Sequence, residues 1–105
     1  MKNLQQHEWR AQLAQDKNSV ILDVRTKEEC ASGIIENAIM IDFLQPALFM
    51  QEIERLDKSK NYYVYCRSGN RSGMVAGFMS QKGFSELFNL ADGIMSWTGE
   101  IAEPA

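Results

Sequence analysis

Apolar segments of strand length alternate along this chain with segments of helical periodicity. The clearest strands are residues 19–24, Asn61–Tyr65 and Glu86–Leu90, in which apolar residues follow one another without regular polar alternation. Continuous apolar runs of this length are typical of parallel strands that are covered on both faces. Residues 38–43 form a fourth apolar run, and residues 1–5 give a weaker signal for a short edge strand.

Helices are predicted between these strands from apolar residues that recur three and four positions apart. Trp9 and Leu13 share a face of the first helix, and Thr26 and Glu29 have the spacing of a capping box. The inner face of the helix at 71–82 is predicted to contain Met74, Val75, Phe78 and Met79. The predicted helical segments are Gln6–Gln15, 26–31, 46–56 opened by Pro46, 71–82, and a final turn at 93–97.

Alternation of strands and helices at these lengths predicts an α/β fold with a parallel sheet of about five strands and helices on both faces. The chain has 105 residues, of which 45% are hydrophobic. A chain of this length can form a core without a metal or disulfides. We therefore expect residues 1–105 to form one domain.

The charge and cysteine content exclude several classes of protein. A net charge of −3 argues against general binding to nucleic acid or to an acidic membrane. No apolar run approaches membrane-spanning length, and the first residues lack the apolar region of a secretory signal. With two cysteines and no such signal, the expected location is the cytoplasm. His7 is the only histidine, so no metal site and no cofactor are predicted, and nothing indicates the oligomeric state.

The most informative stretch runs from Tyr62 to Ser72 and reads YYVYCRSGNRS. It places Cys66 where a strand ends and just before a helix expected to begin at Arg71 or Ser72. Ligands of open α/β sheets bind beyond the carboxyl ends of strands, and a helix N-terminus favours negative charge. We therefore predict that Cys66 is a nucleophile with a lowered pKa in an anion-binding loop. The residues predicted to bind substrate are Arg67, Ser68, Gly69, Asn70, Arg71 and Ser72.

The other unusual side chains are predicted to be structural. Cys30 lies within a helical segment without basic neighbours, which indicates packing in preference to a redox role. Tyr62, Tyr63 and Tyr65 are expected to pack around their strand, with Tyr65 bordering the mouth of the pocket. His7 is expected at the surface or the edge of the core.

Three segments together resemble the rhodanese family of sulfurtransferases, and the resemblance covers nearly the whole chain. Residues 22–38 (LDVRTKEECASGIIENA) are similar to the family's Asp-Val-Arg segment, residues 64–72 to its active-site loop, and residues 91–99 (ADGIMSWTG) to its closing Gly-to-Trp segment. Ile34 stands where the family usually has histidine, Asn37 where it usually has glycine, and Cys30 where an aromatic residue is common.

The resemblance implies a three-layer rhodanese-like domain and covalent catalysis through Cys66. The cysteine would take sulfane sulfur from a small donor such as thiosulfate, or from a persulfide. It would pass that sulfur to cyanide in an assay, or to a thiol or protein acceptor in the cell. The Asp-Val-Arg segment would be structural, with Arg25 paired to Glu28 or Glu29 and Asp23 bonded to nearby backbone.

Two other functions are compatible with a cysteine in an anion-binding loop. A phosphatase or arsenate reductase also uses this arrangement, but its arginine lies six positions after the cysteine, where this chain has Ser72. The loop is also one residue short for enclosing a tetrahedral oxyanion. The second alternative is a non-catalytic binding or regulatory module that keeps the fold, which fold alone does not exclude.

Overall fold

The computed structural model describes residues 1–104. Strands and helices alternate along almost the whole of this length. The elements are β1 (Lys2–Leu4), α1 (Gln6–Gln15), β2 (Ser19–Asp23), α2 (Lys27–Cys30), β3 (Ile39–Met40), α3 (Pro46–Arg55), β4 (Asn61–Tyr65), α4 (Asn70–Gln81), β5 (Glu86–Leu90) and a 3₁₀ turn (Ile94–Ser96).

The five strands form one parallel sheet in the order β1-β5-β4-β2-β3. β4 lies at the centre and pairs with β2 and β5 on its two sides, with Ile21 opposite Tyr63 and Tyr63 opposite Phe88. The predicted α/β fold is therefore confirmed, including the weakly indicated edge strand at the start of the chain.

Side chains alternate along β4 between the two faces of the sheet, as the period of a strand requires. Tyr62 and Val64 point to one face, where they pack with Phe49 and Ile53 of α3 and with residues of α4. Tyr63 and Tyr65 point to the other face, where the fully buried Trp9 of α1 contacts both rings edge-on. Two apolar cores therefore separate three layers.

Two predictions about apolar segments are wrong, one on the length of a strand and one on the inner face of α4. Only Ile39 and Met40 of the run at 38–43 form a strand, and both are exposed, because β3 pairs with β2 alone and its outer edge is uncovered. Beyond the end of this strand, the Asp42 side chain accepts a hydrogen bond from the amide of Leu44 (2.8 Å). Met74, predicted on the inner face of α4, is 63% exposed.

The segments at 26–37 carry several predicted local features. Thr26 and Glu29 form the predicted capping box, since each side chain accepts a hydrogen bond from the other residue's backbone. Asn37 has φ 71°, a left-handed conformation in which asparagine is tolerated better than most residues other than glycine.

None of the helices in the described part of the chain combines the length and apolar character needed to cross a bilayer.

Candidate active site

Cys66 follows the last residue of β4 and continues the alternation of that strand. Its side chain shares the face of Tyr62 and Val64, which is the face that α4 covers. The thiol therefore points toward the N-terminus of α4, which begins at Asn70, just before the predicted start at Arg71 or Ser72. The alternation of side chains along β4 and the short loop to α4 together determine the direction of the thiol.

Three hydrogen-bond donors converge on the sulfur of Cys66. The amide of Gly69 lies 3.1 Å from Sγ, the amide of Ser72 3.4 Å, and the hydroxyl of Ser72 3.3 Å. The N-cap residue of α4 is Gly69, which has no side chain that could accept these bonds. Sγ thus takes the place that a capping oxygen occupies in other helices.

Backbone carbonyls of the loop are held away from the thiol by other donors. The carbonyls of Cys66 and Arg67 accept the amides of Ile94 and Met95, at 2.9 and 3.1 Å. The carbonyl of Gly69 accepts the amide of Gly73 at 3.0 Å. With these oxygens directed outward, loop amides are free to face inward, as in other anion-binding backbone nests.

Two glycines allow the loop to pack this closely against the segment that follows β5. Gly69 has φ 97°, and a Cβ there would collide with the carbonyl of Ala91. Gly93 has φ 70°, and a Cβ there would collide with the carbonyl of Arg67. The resemblance of residues 91–99 to a family motif therefore has a physical basis, because this segment supports the loop from outside.

The surroundings of Cys66 favour the thiolate. Burial raises the pKa of the Cys66 thiol, because a charge is less stable away from water. Hydrogen bonds from the hydroxyl and amide of Ser72, and from the amides of Gly69 and Ser68, act in the opposite direction. Their combined effect is larger, so the pKa lies below its ordinary value.

Arg71 is held by a partner that the sequence did not indicate. Its guanidinium forms two parallel hydrogen bonds with the carboxylate of Glu29, at 2.8 and 2.9 Å. This bond from Arg71 holds the pKa of Glu29 at about 2, with further help from the Thr26 amide. The capping box of α2 therefore positions the carboxylate that holds the loop arginine.

The seven residues predicted for the site lie in one loop and the first turn of α4, but they differ in what they offer a ligand. Arg67, Ser68 and Asn70 are exposed at the rim. Gly69 and Ser72 are buried beneath it and face the sulfur. Arg67 makes no ion pair with any residue in the range 1–104.

The predicted pairing of Arg25 with Glu28 or Glu29 is wrong. Arg25 binds the buried carboxylate of Asp23 at 2.7 Å and donates to the carbonyl of Gly33 at 2.7 Å. A carboxylate with 0% exposed side chain needs a nearby cation, and Arg25 is the one that reaches it. The backbone bond predicted for Asp23 is present, from the amide of Arg25.

Three other predictions have clear outcomes. Tyr65 does not border a pocket mouth, since it is fully buried and its hydroxyl accepts the amide of Ile35 at 3.0 Å. Cys30 is buried, in agreement with a packing role. His7 is exposed on α1.

Sequence reasoning missed Asn89 of β5 as well as Glu29. Asn89 is buried beneath the loop and donates a hydrogen bond to the carbonyl of Gly69. Its signal was a single amide in an otherwise apolar strand core. For Glu29 the only signal was its place in the capping box.

Comparison with known proteins agrees with this geometry. The family model for the Rhodanese-like domain matches residues 6–100. The chain belongs to the rhodanese-like family. A crystal structure of a rhodanese-like domain protein from Staphylococcus aureus superposes with a TM-score of 0.84 at 29% identity, covering 100% of both chains.

Relatives of this rhodanese-like chain include a sulfurtransferase of similar length and a longer enzyme with a different name. The chain is 33% identical to a sulfurtransferase of Allochromatium vinosum over 81% of this chain and 77% of that relative. It is 32% identical to a tRNA uridine(34) hydroxylase of Legionella pneumophila over 95% of this chain, but it spans only 40% of that relative. The family is thus a rhodanese-like sulfurtransferase family whose fold also occurs within larger enzymes.

Proposed function

We propose that this protein is a sulfurtransferase that carries sulfane sulfur on Cys66 as a persulfide. The observation that carries the proposal is the convergence of the Gly69 amide and the Ser72 amide and hydroxyl on Sγ, at 3.1 to 3.4 Å. These donors stabilise negative charge on sulfur in a site withdrawn from water. Sulfur transfer by a thiolate needs no neighbouring base, which suits a chain whose one histidine is exposed on α1.

The first half-reaction uses thiosulfate, or a persulfide, as the donor. The thiolate of Cys66 attacks the outer sulfur of thiosulfate, a sulfur–sulfur bond forms, and the bond to the sulfonate sulfur breaks. Sulfite leaves with the electron pair of that bond, and the Cys66 persulfide anion remains. The exposed guanidinium of Arg67 at the rim supplies positive charge for a dianionic donor.

The second half-reaction returns the enzyme to the thiolate. A thiophilic acceptor, cyanide in an assay or a thiol of a small molecule or protein, attacks the outer sulfur of the persulfide. The sulfur–sulfur bond breaks and its electron pair returns to Cys66. The amides of Gly69 and Ser72 face the regenerated thiolate as they did at the start. The same set of donors therefore acts in both half-reactions of the covalent cycle. Both cysteines are free thiols, as is common in the cytoplasm, and we place the reaction there. We propose that one domain of residues 1–105 carries it out.

The position of Arg71 supports sulfur transfer over phosphoryl transfer. A phosphoryl group in transfer spreads charge over three oxygens and is stabilised by an inward bidentate arginine. Arg71 uses both terminal nitrogens on Glu29 instead. We therefore expect negligible hydrolysis of aryl phosphate monoesters. Phosphatase activity that depends on Cys66, without sulfur transfer, would reject the proposal.

The test is mass spectrometry of the purified protein after incubation with thiosulfate. We expect the mass of one added sulfur atom on the peptide that contains Cys66, and its loss after cyanide treatment with formation of thiocyanate. The peptide that contains Cys30 provides the internal control and should remain unmodified. An unmodified Cys66 peptide after thiosulfate and after a small-molecule persulfide would favour the non-catalytic alternative.

A further inference from the structure

Asn89 is a polar residue in the most buried part of β5. It is 2% exposed, and Leu87, Phe88 and Leu90 around it are buried apolar residues. Its side-chain oxygen has no hydrogen-bond partner among residues 1–104. An unpaired buried acceptor lowers stability, so an apolar side chain would serve packing better at this position. The amide therefore has another role.

The side-chain nitrogen of Asn89 joins the edge of the sheet to the loop around Cys66. It donates to the backbone carbonyl of Gly69 at 3.1 Å and to the side-chain oxygen of Asn3 at 2.8 Å. Gly73 of α4 leaves room for it, since a Cβ there would lie 3.3 Å from this nitrogen. Because the Gly69 carbonyl can only accept, the orientation of the amide is fixed by its backbone partner.

Gly69 is the loop residue whose orientation matters most to the thiol. Its amide makes the shortest hydrogen bond to Sγ, at 3.1 Å. As a glycine with φ 97°, it has more conformational freedom than its neighbours. Its carbonyl accepts the amide of Gly73 at 3.0 Å and lies 3.3 Å from the hydroxyl of Ser72, both in α4, and the amide of Asn89 is the donor that ties the same carbonyl to the sheet. This additional donor restrains Gly69 and therefore the amide on the other side of the same residue.

We propose that Asn89 is a positioning residue that holds Gly69 so that its amide faces the sulfur of Cys66. Asn89 makes no hydrogen bond to the thiol among residues 1–104, and its link to the loop is the bond to Gly69. The proposal rests on the proposed function in one respect, that Cys66 is the reacting thiol. Its direct consequence is the ionisation of that thiol, which is measurable without any sulfur transfer.

The experiment compares Asn89→Leu with Asn3→Leu, which are the same chemical change on the two sides of one hydrogen bond. The rate of alkylation of Cys66 by iodoacetamide is measured against pH, with Cys66 identified by peptide mass spectrometry. In Asn89→Leu we expect the pKa of the thiol to rise and the rate at mildly acidic pH to fall about three- to tenfold. In Asn3→Leu the Gly69 bond remains, and the rate should stay within about twofold of the unchanged protein.

An Asn89→Leu variant that is folded by circular dichroism and has an unchanged alkylation profile would overturn the proposal. So would equal losses in Asn89→Leu and Asn3→Leu, because the effect would then belong to the edge of the sheet. Asn89→Ala, which cannot overpack the core, should repeat the Leu result.

If neither Asn89 variant folds, NMR of the unchanged protein tests the proposal. We expect a scalar coupling across the hydrogen bond, from the Asn89 side-chain nitrogen to the Gly69 carbonyl carbon. The absence of this coupling would reject the proposal. Altered alkylation without any sulfur transfer would support the positioning role and reject the proposed function separately.

Discussion

Cys30 and Cys66 are both withdrawn from solvent, with 1% and 0% of each residue exposed, yet the pKa values of their thiols move in opposite directions. At Cys30 burial and the charge of Asp23 together raise the pKa to about 12, and Arg25 opposes that rise only in part. At Cys66 burial acts in the same direction, but hydrogen bonds from Ser72, Gly69 and Ser68 outweigh it.

The difference between the two thiols lies in their hydrogen-bond donors. A cation is near both of them, since Arg25 lies by Cys30 and Arg71 by Cys66, and Cys30 also has the carboxylate of Asp23 beside it. Only Cys66 lies at the start of a long helix, where amides without partners inside the helix point at the sulfur. A buried thiol is therefore made reactive by oriented dipoles, and burial alone makes it inert.

The largest effect is expected from exchanging each thiol in turn. Cys66→Ser should abolish sulfur transfer from thiosulfate to cyanide while the protein stays folded, because a serine hydroxyl does not carry sulfane sulfur. Cys30→Ser should retain most activity. Thiocyanate formation measures both, and activity lost in Cys30→Ser but kept in Cys66→Ser would reverse the assignment.

The next effect compares the ionisation of the two thiols in the unchanged protein. Since the pKa of Cys66 lies below its ordinary value and that of Cys30 is raised to about 12, the thiolate fraction of Cys66 at neutral pH should exceed that of Cys30 by about a hundredfold or more. Alkylation of each cysteine, followed against pH by peptide mass spectrometry, measures this ratio. Similar midpoints for both cysteines would mean that the donors do not act on Cys66 as described.

A smaller effect is expected when one donor is removed from Cys66. Ser72→Ala keeps the amide at 3.4 Å from Sγ but removes the hydroxyl at 3.3 Å, so the pKa of the thiol should rise toward its ordinary value. We expect kcat/KM for thiosulfate to fall about tenfold. Ser80→Ala, an exposed position on the same helix, is the control. Equal activities in the two variants would remove the hydroxyl from the mechanism.

The smallest effect concerns the partner of Arg71. The pKa of Glu29 is lowered from 4.5 to about 2, so its contribution to the free energy of unfolding is fully present above about pH 4.5 and is lost as pH falls toward 2. Glu29→Gln should remove about 1 to 2 kcal/mol at neutral pH, after allowance for solvent around a side chain that is 28% exposed. Its stability should also change less between pH 4.5 and 2 than that of the unchanged protein. Urea unfolding at several pH values measures this.

The exposed neighbour Glu28 provides the matched control for Glu29. Glu28→Gln should leave both stability and its pH dependence close to those of the unchanged protein. If Glu28→Gln and Glu29→Gln lose the same stability, the pair with Arg71 contributes nothing specific, and the support of the loop must come from its backbone contacts.

The elements that were predictable from sequence are those set by local pattern. Apolar runs were enough to predict β2, β4 and β5, and residue spacing was enough to predict the capping box of Thr26 and Glu29. The end of a strand followed by the start of a helix was enough to predict the position of Cys66. Pairings between distant segments left no comparable signal. Arg71 has Glu29 as its partner, 42 residues away. The partner of Arg25 was not predicted either, although Asp23 is only two residues away, because sequence spacing did not show that this carboxylate would be buried.

Exposure was the other feature that local pattern could not give. Met74 has helical spacing suited to the core, and Ile39 lies in an apolar run, but which surfaces neighbouring elements cover depends on sheet order. Because β3 forms the edge next to β2, its apolar side chains remain uncovered.

The pairing of β1 with β5 has a consequence for how the loop is assembled. Asn3 and Asn89 are separated by 86 residues, so their contact closes one of the longest loops in the chain. Contacts of such separation form more slowly than local ones, because closing a longer loop costs more entropy before the contact stabilises the fold. Of the five strands, β1 is synthesised first and β5 last, so β1 has no strand to pair with until β5 has been made. The hydrogen bond that supports the loop from β5 and β1 can therefore be completed only after nearly the whole domain has been synthesised.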